Sequence, residues 1–500
     1  MNNKNIKNSA VSEILASMLI LSITVAIFAS VYVTILSERP EIETPIVTIK
    51  GSLIDDSILL THYGGESLSL DTKIKIKIAN SSENITVKDY LEEPYKIDGK
   101  WNIGEPVTCQ ISNYTGKQVE VIIVDVYSKG IIFQGFVKDT FSDSSWYSNI
   151  SGGPDIIYIF SNSFAIVVYS ADNDSGIIET IKIESTGDIG EKIDTLIFDT
   201  KYCEEPNVFQ VSNNIFAVAY NGQGNKGTLI TVNIDNKGEI NDVILDTLIF
   251  DSNQGLNTDV THVSGNIFAI AYRGQGYKGT LKTVEIFGDG EISDSVIDSL
   301  VFEPIQATET SIVWVSQNMT AIAYRQSDKE GLVKTVEILS TGEISNSIID
   351  SLEFEDETGI DPDIVHVTGT IYAIAYEGPD EKGYLTTIDI SSAGDINDTI
   401  IDTYIFDNDQ GKEPDIIKIS EEFYAIVYSG FANFGQLITL RISADGNITD
   451  SIIDSWNLQN SCNDPYITII TEDTYVIGYR GLSDEGYLMT VQIGKNGNIY

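Results

Sequence analysis

Tyr372-Ala373-Ile374-Ala375-Tyr376 is one copy of a short apolar segment that recurs along this 500-residue chain from residue 139 onwards. Seven residues after Tyr376 comes Gly383, four residues later comes Thr387, and seven residues after that comes Gly394. Every other copy keeps the same spacing, and the tyrosines that close the copies are 51 or 52 residues apart: Tyr169, Tyr220, Tyr272, Tyr324, Tyr376, Tyr428 and Tyr479. Residues 139–500 therefore consist of seven copies of one unit.

Each unit is predicted to form four short strands. In the fifth copy these are Asp363–Val367, Tyr372–Tyr376, Tyr384–Ile390 and Ile400–Phe406, separated by turns rich in Gly, Asp and Asn. β-Branched and aromatic residues dominate the strands, and no sustained 3.6-residue period occurs. The pattern predicts a seven-bladed β-propeller. We expect the recurring glycines at turns with positive φ, and we expect the threonine to satisfy a local backbone group.

The ends of the repeat region predict how the last blade is completed. The fourth strand of the first copy carries Asp194 and Phe198, whereas the chain ends at Tyr500, before the seventh copy reaches its own fourth strand. The residues 52 positions before Asp194 and Phe198 are Ser142 and Trp146. We therefore expect an N-terminal strand around Trp146 to close the propeller, which would remove an open sheet edge.

An uncharged stretch near the N-terminus, Ile14–Leu36, is 23 residues long. At about 1.5 Å per residue it could cross a hydrocarbon core of about 30 Å. Lys4 and Lys7 precede it, so the positive-inside rule places the N-terminus in the cytoplasm. A secretory signal peptide is the alternative, but its apolar run would be shorter. We predict a transmembrane or filament-core helix at 11–37 and a single-pass cell-membrane protein whose bulk is extracellular.

Residues 38–138 are predicted to form a small β-sandwich. Six strand-like stretches are separated by Gly, Asn and Asp turn signals: Pro45–Lys50, Ile58–His62, Lys73–Ile78, Val107–Ser112, Val119–Tyr127 and Ile131–Val137. The whole chain is thus predicted to be all-β after its N-terminal helix, with the sandwich followed by the propeller at 139–500.

Two segments carry a family resemblance. Ser9-Ala10-Val11-Ser12-Glu13 stands between the basic residues and the apolar stretch, and His62-Tyr63-Gly64-Gly65 lies within the predicted sandwich. Both resemble the class III signal and N-terminal domain of archaeal type IV pilins, over about the first quarter of the chain. The resemblance implies removal of a leader, 1–10, between Ala10 and Val11, with a cut after Asn8 as the alternative. It also implies other pilin subunits as partners, and a place in a surface filament.

Composition and motifs exclude several classes of function. Acidic residues outnumber basic ones 74 to 30, for a net charge of −44, which argues against a nucleic-acid partner. Cys109, Cys203 and Cys462 show no CxxC spacing and only three histidines accompany them, which argues against a zinc or iron–sulfur site and a disulfide framework. GxSxG, HExxH, Walker and dinucleotide motifs are absent from the sequence. We predict no catalytic residue, no metal site and no cofactor.

A ligand site is expected where the blades differ, because residues repeated in every blade build the frame. The most informative such position lies on the first strand, which is innermost in a propeller. Its residues are the predicted ligand-binding set, which could bind a sugar or peptide: Tyr158, Gln210, His262, Trp314, His366 and Lys418, with Ile469 in the seventh copy. The alternative is that these side chains only pack between neighbouring inner strands.

Acidic loops before the first strands are the second candidate. Glu204-Glu205-Pro206, Asp361-Pro362-Asp363, Glu413-Pro414-Asp415 and Asn463-Asp464-Pro465 place carboxylates at one rim of the predicted disc. Calcium is the cation that such oxygen ligands would take, but no DxDxDG loop occurs. We therefore expect solvated acidic loops.

The predicted function combines these features. Eight Asn-x-Ser/Thr sequons suit an extracellular glycoprotein: Asn80, Asn84, Asn113, Asn149, Asn173, Asn318, Asn397 and Asn447. We predict a non-enzymatic, pilin-like surface protein that displays its propeller for adhesion or ligand binding, with surface glycans or proteins as partners. The alternative is a membrane-anchored extracellular hydrolase or lyase that acts on polysaccharide at the propeller's channel mouth.

Overall fold

The computed structural model describes residues 45–499 with short gaps. The gaps are residues 46, 55–56, 79–80, 92–94, 111–118, 140–144, 148–149, 151–152, 160–163, 171–173, 185–186, 317 and 482–483. The chain divides into two compact units, Met1–Thr140 and Phe141–Tyr500. Strands dominate both units.

The predicted membrane location is corrected. Within residues 45–499, no helix is long and apolar enough to cross a membrane. The predicted helix, 11–37, and the predicted cleavage site at Ala10 and Val11 lie outside the described residues. The finding contradicts the predicted single-pass protein with an extracellular bulk, and we withdraw that location. The pilin resemblance itself stays a prediction.

The first unit is a mixed sheet around one core. Its elements are β1 (Val47–Ile54), β2 (Ser57–Gly65), β3 (Leu68–Ser69), β4 (Lys73–Ile78), β5 (Ser81–Thr86), α1 (Val87–Tyr90), β6 (Lys100–Trp101), β7 (Pro106–Gln110), β8 (Val119–Val124) and β9 (Ile131–Asp139). Seven strands form one sheet in the order β5-β4-β8-β9-β1-β2-β7, and β3 pairs with β6. The β1–β9 pair is parallel. Apolar residues from both halves of the sheet, such as Leu60 and Val121, share one buried core with Trp101.

The second unit consists of seven four-stranded antiparallel sheets, which gives a propeller-like fold. Sheets 1 to 3 are β11 (Asp155–Ile159) to β14 (Ile189–Asp199), with β12 (Phe164–Ser170) and β13 (Gly176–Ile183); β15 (Cys203–Gln210), β16 (Ile215–Gly222), β17 (Lys226–Asn233) and β18 (Asp246–Asp251); and β19 (Leu256–Ser264), β20 (Ile267–Arg273), β21 (Gly279–Glu285) and β22 (Asp298–Glu303). Sheets 4 to 6 are β23 (Ala307–Ser316), β24 (Met319–Gln326), β25 (Gly331–Ile338) and β26 (Ile344–Glu355); β27 (Ile360–Thr368), β28 (Ile371–Glu377), β29 (Gly383–Asp389) and β30 (Asp402–Asp407); and β31 (Lys412–Lys418), β32 (Phe423–Ser429), β33 (Phe434–Arg441) and β34 (Asp454–Ser461).

The seventh sheet joins the two ends of this unit. It contains β35 (Asn463–Ile469), β36 (Thr474–Arg480) and β37 (Gly486–Gln492), and its fourth strand is β10 (Ser145–Tyr147). β10 pairs antiparallel with β37, with Trp146 opposite Tyr487. The sequence segment expected to supply the missing strand is thus the segment that pairs there.

The repeated polar residues tie each sheet to the next. The hydroxyl of each repeat threonine donates a hydrogen bond of 2.5–2.6 Å to a glycine carbonyl of the neighbouring sheet, as Thr387 does to Gly446 and Thr490 to Gly187. The expected local role of this threonine is therefore wrong. Five repeat tyrosines also donate to the carboxylate that ends the previous sheet, at 2.7–3.2 Å. The repeat thus encodes contacts between sheets.

Thr387→Val is expected to lower the free energy of unfolding by about 2 kcal/mol. The substitution removes the hydroxyl that donates to the Gly446 carbonyl at 2.6 Å, and it leaves a buried acceptor without that hydrogen bond. Chemical denaturation of both proteins measures the difference. Thr247→Val, at an exposed strand position, is the matched control and should change stability little. Equal losses in the two variants would contradict the role of the inter-sheet bond.

Candidate functional site: the central cavity

A cavity of about 620 Å³ is lined by residues at the start of the first strand of every sheet. Two positions per sheet supply most of the lining. The first ring is Gly153, Glu205, Asn257, Glu309, Asp361, Glu413 and Asp464, and the second ring, two residues later in each sheet, is Asp155, Asn207, Asp259, Ser311, Asp363, Asp415 and Tyr466. Ten of the lining residues are Asp or Glu, and none of the described lining residues is Lys or Arg. The cavity is therefore strongly acidic.

A β-bulge in the first strands aims the first-ring side chains. The register of the first and second strands shifts by extra residues at this point in sheets 2 to 7, for instance between Ile360 and Asp363. All six non-glycine members of the ring have positive φ, from 47° at Asp361 and Asp464 to 54° at Glu309. Such residues are uncommon, and bulges that carry them re-aim side chains. The backbone thus holds acidic groups towards one common space.

Long and short side chains alternate around the first ring. Glu205, Glu309 and Glu413 each accept a hydrogen bond from the backbone N–H of the next ring member, at 2.6, 3.2 and 2.7 Å. The members that follow them, Asn257, Asp361 and Asp464, have side chains one methylene shorter. Among the described residues, none of these side chains accepts such a bond from the next sheet. The side chains of the three short members are therefore not bound to one common partner, and their contacts can differ from sheet to sheet.

The three short members do differ in their partners. The Asn257 amide donates to Glu205 Oε1 at 2.9 Å, and Asp464 forms an ion pair with Arg480 at 3.1 Å. The Asp361 carboxylate accepts no hydrogen bond and forms no ion pair within the described part of the chain. Burial, Glu309 and Glu413 raise the pKa of Asp361 well above its ordinary value. Asp361 is therefore a carboxyl group whose charged form is disfavoured and whose oxygens have no partner among the described residues.

Glu413 stands next to Asp361 in the ring and is a suitable base. Burial, followed by the neighbouring Asp464 carboxylate, raises the pKa of Glu413 to about 7. Its Oε2 accepts the Asp464 N–H, whereas no bond to its Oε1 occurs among the described residues. Glu377, at the end of β28, adds another negative charge near Asp361, at the position where Arg480 stands in sheet 7. Glu413 and Asp361 are thus neighbouring carboxyl groups whose pKa values are both raised within one cavity.

The second ring is tied to the frame. Asp155, Asp259, Asp363 and Asp415 each accept, at 2.6–3.0 Å, a backbone N–H from the next sheet. Burial raises the pKa of Asp155 and of Asp259 to about 7. Burial and the Asp363 carboxylate raise the pKa of Asp415 well above its ordinary value. These aspartates therefore hold neighbouring sheets together, and burial disfavours the charged forms of Asp155, Asp259 and Asp415.

The free energy of unfolding of the seven-sheet unit, Phe141–Tyr500, is expected to fall as the pH rises from about 4 to about 7. Asp155 and Asp259 have a pKa of about 7 in the folded chain, against about 3.9 in an unfolded chain, so the folded state binds the extra protons. Their stabilisation is complete below the unfolded pKa and lost as the pH rises through 7. Thermal unfolding from pH 5 to 8 should show a declining Tm. Asp259→Asn should flatten the decline and the exposed Asp242→Asn should not; a Tm that rises with pH would contradict the expectation.

The predicted ligand-binding side chains lie further along the same strands, and none of them lines this cavity. His262 Nε2 lies 2.9 Å from the Gly265 carbonyl, and His366 Nε2 lies 3.1 Å from that of Gly369. The Gln210 amide donates to Asn213 O at 3.4 Å, and Lys418 Nζ donates to Val367 O. These contacts fix hairpins and neighbouring strands. Tyr158 is 7% exposed and Trp314 is 43% exposed. Ligand binding by this set stays a prediction.

Other predicted sites are separate from the cavity. The three cysteines are free and buried. Asn84, Asn397 and Asn447 are exposed and Asn318 is half-buried, whereas the sequons at Asn80, Asn113, Asn149 and Asn173 lie outside the described residues. Among the described residues, no three His, Cys, Asp or Glu side chains are grouped so that they could hold a metal ion.

The acidic loops were identified from the sequence, but the sequence did not show that they line one cavity. It placed Glu205, Asp361, Glu413 and Asp464 at one rim, which the lining of the cavity bears out. Asp155, Asp259 and Glu309 were not singled out from the sequence. The first-ring position could have been found from the sequence, because its residue type changes from copy to copy among Gly, Glu, Asn and Asp.

Solved structures of low identity share the fold. A protein from Bacteroides fragilis, provisionally named as a 6-phosphogluconolactonase, matches with a TM-score of 0.50 at 11% identity, over 71% of this chain and 94% of that one. A similarly named Bacteroides uniformis protein gives 0.48 at 11% identity, over 65% and 90%, and Saccharomyces cerevisiae Sqt1 gives 0.44 at 8%, over 69% and 98%. No family model matches the chain. No curated protein matches it either.

These neighbours correct the predicted function. The structure that reaches a TM-score of 0.50 is named for an enzyme activity, and not as a pilin or an adhesin. This contradicts a non-enzymatic, pilin-like protein that displays a propeller for adhesion, and we withdraw that function together with its membrane-anchored, polysaccharide-acting alternative. At 11% identity, the Bacteroides fragilis structure supports the propeller-like fold alone.

Proposed function

We propose that the protein is a hydrolase that opens unphosphorylated sugar lactones in the central cavity, with Glu413 as the general base and Asp361 as the general acid. The observation that carries the proposal is a pair of neighbouring first-ring carboxyl groups, one of which is free of any partner among the described residues. General acid–base catalysis needs two such groups with pKa values near the working pH.

The chemistry follows from the protonation states. Ionised Glu413 takes a proton from a water molecule, whose oxygen attacks the lactone carbonyl carbon. As the ring C–O bond breaks, protonated Asp361 gives its proton to the leaving oxygen, and the product is a hydroxy acid. Burial together with Glu309 and Glu413 favours the protonated form of Asp361, which suits the acid, and a pKa of about 7 suits Glu413 as the base.

The lining of the cavity supports a neutral, hydroxyl-rich substrate. Ten carboxyl groups offer hydrogen-bond acceptors to hydroxyl donors, and the described lining has no Lys or Arg to neutralise a phosphate. The name of the Bacteroides fragilis neighbour suggests lactone chemistry, but its phosphorylated substrate does not suit this lining.

The seven sheets are proposed to form a closed ring around the cavity. The pairing of β10 with β37 supports it, as does the hydrogen bond of 2.6 Å from Thr490 in sheet 7 to Gly187 in sheet 1. The same threonine–glycine hydrogen bond joins each of the six other pairs of neighbouring sheets. A closed ring would make the cavity rigid, as a preorganised site requires.

A direct activity assay tests the proposal. The purified chain is incubated with D-glucono-1,5-lactone and, in parallel, with its 6-phosphate, and acid release is followed with a pH indicator against the spontaneous rate. We expect turnover of the unphosphorylated lactone and little of the phosphate ester. A rate equal to the spontaneous rate with glucono-, galactono- and ribonolactone would overturn the hydrolase.

A further inference from the structure

Arg273 lies beside the cavity, and its guanidinium group has no hydrogen-bond or ion-pair partner among the described residues. It ends β20 and pairs in register with Leu256, the residue before first-ring Asn257. Arg325 and Arg480 occupy the same position in sheets 4 and 7. Since the repeats are otherwise alike, the three arginines form an internal comparison.

The comparison shows why Arg273 is unpaired. Arg325 forms an ion pair with Glu309 at 2.9 Å, and Arg480 forms one with Asp464 at 3.1 Å, each with the first-ring carboxylate of its own sheet. Sheet 3 has Asn257 at that position, and its amide donates to Glu205 instead. Within the described residues Arg273 forms no ion pair or side-chain hydrogen bond, and its Nε is buried without a partner.

The surroundings hold this guanidinium in place without neutralising it through contact. Its central carbon lies 5.6 Å from the centre of the Tyr277 ring, and Tyr277 is 56% exposed. The nearest acids, Glu205 and Glu309, use their oxygens on Asn257 and on Arg325 and Asp361. Stacking on an aromatic face fixes the plane of an arginine while its N–H donors stay available. Its terminal N–H donors therefore have no partner among the described residues, whereas its Nε is buried.

We infer that Arg273, which lies beside the cavity and outside its described lining, binds a carboxylate, and that its ligand is the aldonate, the hydroxy acid that lactone opening produces. The planar fork of an arginine matches a carboxylate through two parallel hydrogen bonds. The hydroxyl groups of an aldonate would then donate hydrogen bonds to the carboxylates of the two rings. An anion without hydroxyl groups could not form these bonds. The choice of an aldonate rests on the proposed function, whereas the carboxylate site rests on Arg273 alone.

Calorimetric titration with D-gluconate and with sorbitol, its uncharged counterpart, tests the inference. We expect the unmodified chain to bind gluconate more tightly than sorbitol, and Arg273→Gln to weaken gluconate binding at least tenfold without changing sorbitol binding. Arg273→Lys keeps the charge but loses the fork, so it should recover only part of the affinity. Arg441→Gln, which removes an exposed ion pair with Glu422, is the control and should bind gluconate normally.

The outcomes separate the two proposals. Equal binding of gluconate and sorbitol by the unmodified chain, or unchanged gluconate binding by Arg273→Gln, would overturn the carboxylate site. Selective gluconate binding without lactone turnover would support Arg273 and sink the hydrolase. If Arg273→Gln does not fold, Arg273→Lys alone decides, because full gluconate affinity in that variant would exclude fork-like recognition.

Discussion

Glu413→Gln is expected to lower kcat for sugar-lactone hydrolysis by about 10²- to 10⁴-fold, the usual effect of losing a general base. Glutamine cannot take a proton from water at neutral pH. Its side-chain oxygen can still accept the Asp464 N–H, which Glu413 Oε2 accepts at 2.7 Å, so the fold should persist. Steady-state kinetics with D-glucono-1,5-lactone, alongside thermal unfolding, separates lost chemistry from lost structure.

A matched control distinguishes the base from any carboxylate that ties two sheets. Asp402 in β30 accepts the Ile448 N–H of the next sheet at 2.8 Å, in the same manner as Glu413, but it does not line the cavity. Asp402→Asn should therefore leave kcat within about twofold of the unmodified chain. A Glu413→Gln variant that keeps more than half of the unmodified rate would contradict the assignment of the base.

The pH profile gives an independent reading of the same pair. Hydrolysis requires Glu413 ionised, so the rate should fall as the pH drops below about 7, the pKa of Glu413. It also requires Asp361 protonated, so the rate should fall again where Asp361 loses its proton; burial, Glu309 and Glu413 move this limb to higher pH by raising the pKa of Asp361. The two limbs of such a bell-shaped pH profile give apparent pKa values that belong to the pair of carboxyl groups and not to either residue alone. Asp361→Asn should lower kcat and remove the alkaline limb.

Much of the repeat architecture could be predicted, because it depends on periodic spacing. The seven tyrosines fix the number of sheets, and the arithmetic from Asp194 and Phe198 finds Trp146, which pairs opposite Tyr487 in sheet 7. The role of the threonine could not be predicted. Its partner lies 58 or 59 residues away for six of the seven threonines, as for Thr387 and Gly446, and a single repeat contains no sign of a contact with its neighbour.

The site was harder to predict than the frame, because it depends on convergence in space. The expectation that function lies where copies differ was applied to the position of His262 and His366, where the side chains instead contact their own hairpins. The same idea applied three residues earlier would have reached the second ring at Asp259 and Asp363. Charge counting alone could not separate Asp361 from the other acids, since its distinction is a carboxylate without a hydrogen-bond or ion-pair partner among the described residues.

The glycine that opens the third strand has a packing role, which a second substitution tests. Gly383 does not have positive φ, contrary to the turn role expected for it, whereas Gly394 at 87° does. A methyl group on Gly383 would lie 2.1 Å from the ring of Phe406, which is 4% exposed and packs against Tyr428. The same glycine faces the same phenylalanine in four other sheets, including Gly331 with Phe354.

Gly383→Ala is therefore expected to cost about 3 kcal/mol of unfolding free energy, at the upper end of the usual cost of overpacking a core. Denaturant unfolding measures the cost, and Gly288→Ala is the matched control because its methyl group would meet only Ser212 at 3.9 Å. If Gly383→Ala does not fold, adding Phe406→Leu should restore a folded chain, since the smaller side chain vacates the space that the methyl group needs. Stability within about 0.5 kcal/mol of the unmodified chain for Gly383→Ala would mean that the fourth strand can shift. The cavity-lining first strands would then depend on the inter-sheet hydrogen bonds of the second-ring aspartates, and not on close packing between the third and fourth strands.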